Sequence, residues 1–70
     1  MKTYYSEELK QRVTIPSNED NTARDKAIRE VLSKTFERLL QGTGDTPEIR
    51  LLIANFTLGY MGASYGLHVA

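Results

Sequence analysis

The sequence predicts an all-α protein: an antiparallel helical hairpin with a short N-terminal helix or arm, completed by homo-oligomerisation into a bundle. Three observations lead there. Apolar residues recur at helical spacing over residues 23–41. A short glycine-containing turn joins that stretch to a second helix. All eighteen charged side chains lie at or before Arg50, so Leu51 to Ala70 carries none.

Seventy residues allow a single domain. A chain this short buries little of its surface and has a marginal core. It has no cysteine for a disulfide, and His68, its only histidine, cannot build a structural metal site. Association is the remaining source of stability, so a homodimer or higher homo-oligomer is expected. The lack of cysteine fits a reducing compartment, and the start of the chain has no basic segment followed by an apolar run. The expected location is cytoplasmic.

Residues 1–16 form the arm or short helix. Ser6 could cap a helix through Val13, with Glu7 and Glu8 in its first turn and Tyr5, Leu9 and Val13 on one side. The alternative is extended, with Val13 and Ile15 alternating with Arg12 and Thr14. The helix is preferred, and Pro16 closes the segment. Residues 17–70 form the hairpin: a helix over 22–41, a turn over 42–46 and a helix over 47–65. Ser17 or Thr22 caps the first helix. Ile28, Val31, Leu32, Phe36, Leu39 and Leu40 make its buried stripe. Asp25–Arg29 and Glu30–Lys34 are spaced as surface i, i+4 ion pairs. Gly42 is placed at its end. Thr46-Pro47-Glu48 starts the second helix: a cap, a proline at the first position and an acid in the first turn.

The second helix is apolar on two sides. Ile49, Leu52, Ile53, Phe56, Tyr60 and Ala63 make one face, and Leu51, Leu58 and Tyr65 the other. One amphipathic neighbour cannot cover both, so a second copy is expected to. Asn55, Gly59, Gly62 and Gly66 form a strip with little side chain. Each glycine costs about 1 kcal/mol in a helix interior, which close packing would offset. The other reading is that the helix ends near Gly59 or Gly62. Phe56, Gly59, Tyr60, Gly62, Tyr65 and Gly66 are therefore the expected oligomer interface, and Phe36 and Phe56 are both expected to be buried in the assembly.

Nine basic and nine acidic groups give a formal net charge of zero, which argues against a nucleic-acid platform. A helix-turn-helix reader would need its second helix to contact phosphates, yet Arg50 is that helix's only basic residue. The uncharged run is long enough to span a bilayer, but Asn55, Thr57, Ser64, two tyrosines and three glycines make it a poor span. Asp45 and Glu48 add negative charge where the turn could otherwise hold an anion. No residue pattern indicates catalysis, a cofactor or a metal. The expected function is non-enzymatic: a regulator or inhibitor that binds a protein partner through Tyr4, Tyr5, Arg29 and Arg38. In composition alone, with no residue-level motif, the chain resembles many accessory proteins of bacteria and their phages. The alternatives are a small-molecule binder with a pocket lined by Asn55, Tyr60 and Tyr65, and a helical DNA-binding regulator.

Overall fold

The computed structural model describes residues 2–16 and 22–70. Strand β1 (Lys2–Ser6) turns into strand β2 (Gln11–Ile15). Helices α1 (Thr22–Thr43) and α2 (Pro47–Tyr65) follow, and strand β3 (His68–Val69) returns to the sheet. The sheet is antiparallel in the order β1-β2-β3. The all-α expectation is thus corrected: the fold is α+β, with two helices and a three-stranded sheet.

The correction falls on residues 1–16, where the extended reading is the right one. Ser6 does act as a cap, since its Oγ accepts a hydrogen bond from the Leu9 amide at 3.1 Å. The Lys10 amide then donates to the Ser6 carbonyl at 2.8 Å, closing one helix-like turn. That turn does not propagate, because Lys10 takes a left-handed φ of 56° and sends the chain back. Val13, Thr14 and Ile15, all β-branched, continue as a strand. Register pairs Lys2 with Ile15, Tyr4 with Val13 and Ser6 with Gln11. Val13 and Ile15 point inward and are 0% and 1% exposed. Thr3 and Thr14 share a 3.0 Å hydroxyl hydrogen bond between neighbouring strands.

In α1 the apolar stripe faces the core through Ile28, Leu32 and Phe36, with Val31, Leu39 and Leu40 partly buried beside them. The expected surface pair of Asp25 with Arg29 is not formed. Asp25 is itself buried, with Lys2 Nζ 3.3 Å and Arg24 Nη1 3.9 Å from its carboxylate oxygens. It therefore ties the start of β1 to the first turn of α1. The helix also runs past Gly42. Gly44 holds the left-handed position, with φ 85°, and its amide reaches the Leu40 carbonyl at 3.0 Å. The expected linker at 17–21, with Ser17 as a possible cap, lies outside the described residues.

At the far end of α2, Gly66 takes the left-handed cap position, φ 72°, and its amide donates to the Gly62 carbonyl at 3.0 Å. Leu67 then drops into the core. Val69 and His68 pair with Val13 and Thr14, and the Ala70 amide donates to the Arg12 carbonyl at 3.0 Å. One core results, joining Leu9, Val13, Ile15 and Leu67 to Ile28, Leu32 and Phe36 of α1 and to Ile53, Ala54 and Met61 of α2.

Lys10 distinguishes the hairpin from a helix. A non-glycine residue in the left-handed region costs about 1–2 kcal/mol, while glycine costs about 0.5–1 kcal/mol in backbone entropy. Lys10→Gly is expected to hold or raise stability by up to ~1 kcal/mol, and β-branched Lys10→Val to lower it by ~1 kcal/mol or more. Urea titration of both variants checks this. A loss of ~1 kcal/mol on Lys10→Gly is what a helix here would give.

Candidate interaction surface

Helix α2 is capped at its start. Thr46 Oγ1 accepts from the Ile49 amide at 3.2 Å, and Pro47 occupies the first turn. Arg50 donates through two nitrogens to the Asp45 carboxylate, the Nη2–Oδ2 distance being 2.8 Å. That pairing holds the Asp45 carboxyl below its ordinary value and Arg50 above its own.

From this start the helix buries Ile53, Ala54, Thr57 and Met61. Both apolar faces assigned from the sequence are therefore covered only in part: Ile49, Ile53, Leu58 and Tyr65 pack in or against the core, and the others do not. Ile53 is buried as expected, but Leu52 is 66% exposed, Phe56 62% and Tyr60 43%, all on the outward side. Leu51, also 66% exposed, lies apart from them, near Leu9, Lys10 and Pro47 of the hairpin turn and the helix start. The inward side is set by small and slender residues, Ala54 and Thr57, which a count of large apolar groups overlooks. Part of the second side of α2 is covered within the chain, by the residues of the sheet and by Leu67.

The glycine strip divides on inspection. A β-carbon on Gly62 would sit 3.2 Å from the Leu67 carbonyl oxygen, and one on Gly66 3.1 Å from Pro16. Those two glycines serve the turn into β3. Gly59 alone faces open space, beside the exposed Phe56 and Tyr60. Tyr65 is half-buried and packs against the core. Of the six residues expected at an oligomer interface, Phe56, Gly59 and Tyr60 are thus accessible together.

Phe56 and Tyr60 form one wall of a groove of about 410 Å³ between the two helices. Val31, Lys34, Thr35, Arg38 and Leu39 of α1 form the other. No acidic residue lines it, and neither Lys34 nor Arg38 makes an ion pair among the described residues. The Glu30–Lys34 pair anticipated from spacing is absent among those residues, which leaves Lys34 available to the groove. The groove was missed in sequence because it joins residues from two helices whose relative rotation no local pattern contains. Its signal was the apolar spacing of Leu52, Phe56 and Tyr60, read as buried.

The other expected site residues do not converge. Tyr4 is half-buried with the Arg29 guanidinium 5.4 Å from its ring centroid. Burial first, and the Glu8 carboxylate second, push the Tyr4 phenol above its ordinary value, against the opposing pull of Arg29. Tyr5, its neighbour in β1, is exposed on the opposite face of the sheet. Arg38 belongs to the groove, so Tyr4, Tyr5, Arg29 and Arg38 do not make one surface. Asn55 is exposed and does not line the groove that Tyr60 does. Among the described residues no group of three His, Cys, Asp or Glu side chains could hold a metal ion, and no helix is long and apolar enough to cross a membrane.

Comparison of the chain with protein-family models, with curated proteins and with solved structures yields no match.

Two variants test the surface. Phe36 is 3% exposed, so Phe36→Ala is expected to cost about 3–5 kcal/mol. Phe56→Ala, at the outward position, is expected to change stability by less than ~0.5 kcal/mol in dilute solution. Thermal melts at low concentration compare them. Arg50→Gln is expected to raise the Asp45 pKa towards the ordinary carboxylate value, read by carboxyl NMR across a pH titration. The pair's contribution to stability is present above that ordinary value and lost as pH falls through the lowered one.

Proposed function

We propose that this chain is a non-enzymatic protein-binding module that acts by occupying a partner protein, as a regulator or inhibitor does. The observation that carries the reading is the exposure of Leu52, Phe56 and Tyr60 along one side of α2, next to an open groove. Full burial of each such side chain contributes about 1.5–3 kcal/mol, so leaving several in water is costly unless something covers them. Aromatic anchors flanking a groove are also what binding hot spots are built from. The contact surface proposed is this side of α2 with the adjoining flank of α1, in place of the N-terminal tyrosines.

The homo-oligomer expected from the sequence would use the same strip. Its uncharged outward side favours that reading. The groove rim opposes it, because a two-fold pair centred on Phe56 sets the same patch against itself. Lys34 and Arg38 of both copies would then crowd together with no acid lining the groove. A distinct partner relieves that repulsion. DNA recognition by α2 is weakened further, since Arg50, its only basic residue, is engaged by Asp45.

A photo-crosslinking residue in place of Phe56, with Glu7 as the control position, tests the reading in the cells the chain comes from. Adducts of defined mass with a protein are expected at position 56 and not at position 7. No adduct at 56, or equal labelling at both, would overturn it.

A further inference from the structure

We infer that the groove between α1 and α2 takes an amphipathic helix that carries two acidic residues one turn apart. This deepens the binding reading above and rests on it. The groove supplies apolar walls from Val31, Leu39, Phe56 and Tyr60, and two cations on one side, Lys34 and Arg38, which make no ion pair among the described residues. Lys34 and Arg38 are four residues apart on α1, which places their β-carbons about 6 Å from each other along the rim. Two acids at i and i+4 on a helix lying along the groove have the same spacing, so both pairs form in one register.

The length fits as well. From Val31 to Leu39 the wall rises about 12 Å, a little over two helical turns. A bound helix offers apolar anchors at i, i+3 or i+4, and i+7 over that distance. An extended strand would find no free backbone edge there, because both walls are helices with their amides and carbonyls satisfied internally. A basic or neutral helix would leave two cations unpaired beside a newly dried apolar contact, which is unfavourable. A second copy of the chain brings two more cations to the same place.

The experiment uses the full chain, immobilised, and three displayed pools of designed helical 16-residue peptides. The anchor positions vary among Leu, Ile, Phe and Met in every pool. The two rim positions are Glu-Glu, Gln-Gln or Lys-Lys. Enrichment of the Glu-Glu pool about tenfold over the Lys-Lys pool is expected, falling as salt is raised. Lys34→Glu with Arg38→Glu, both exposed and not part of the core, is expected to invert that order. Phe56→Ser is expected to abolish enrichment from all pools. Equal enrichment of the three pools that still needs Phe56 would overturn the acidic partner while leaving the binding reading standing. No enrichment from any pool, together with position-56 crosslinks only to a second copy, would overturn the acidic helix in favour of self-association.

Discussion

Strand β2 is hydrogen-bonded on both edges, and the fold is assembled around that fact. Its partners come from opposite ends of the described chain, β1 before it and β3 after both helices. Val13 and Ile15 face inward from this strand and are almost completely removed from water. Without β3, one edge of β2 would be open. Without β1, the Lys2–Asp25 contact that joins sheet to helix would be lost. A small chain with no cysteine thus gains a second layer for its core from strands of at most five residues.

The same arrangement decides what α2 leaves outside. The helix has more apolar surface than its neighbours can cover. The sheet and α1 take the side bearing Ala54, Thr57 and Met61 together with Ile53. Leu52, Phe56 and Tyr60 remain in solvent, and α1 adds two cations beside them. Stability and the proposed binding therefore draw on different sides of one helix. That separation places Phe36 inside the core and Phe56 outside it.

Asp25 lies at a different kind of boundary. Its carboxylate is buried, and neither oxygen has a hydrogen bond among the described residues, although Lys2 and Arg24 stand close. A buried ion pair recovers its desolvation cost only with good geometry and further hydrogen bonds. Asp25 therefore contributes to the position of β1 on α1 more than to net stability. Thr57 Oγ1 and the Tyr4 hydroxyl are likewise buried without a hydrogen-bond partner among the described residues, so polar groups interrupt this core on both the sheet side and the α2 side.

Local chemistry was enough to place the two helices. Ile28, Leu32 and Phe36 recur with the helical period, and Thr46-Pro47 carries its own start signal, because both depend on neighbours within a few residues. Ser6 was also legible as a cap, and it does cap a turn. That turn did not grow into a helix because the left-handed Lys10 reverses the chain, so that β2 pairs with β1 and, more than fifty residues later, with β3, which helix propensity cannot see. The rotation of α2 was decided in the same way. Its apolar residues surround the helix too widely to choose a buried side, and only packing against α1 and the sheet selected Ala54 and Thr57 over Phe56. The sequence by itself determined where helices form and that α2 has surplus apolar surface. Tertiary structure decided that Lys2–Ser6 and Gln11–Ile15 are strands and which surplus faces water, because both depend on pairing and packing that no local helical period contains.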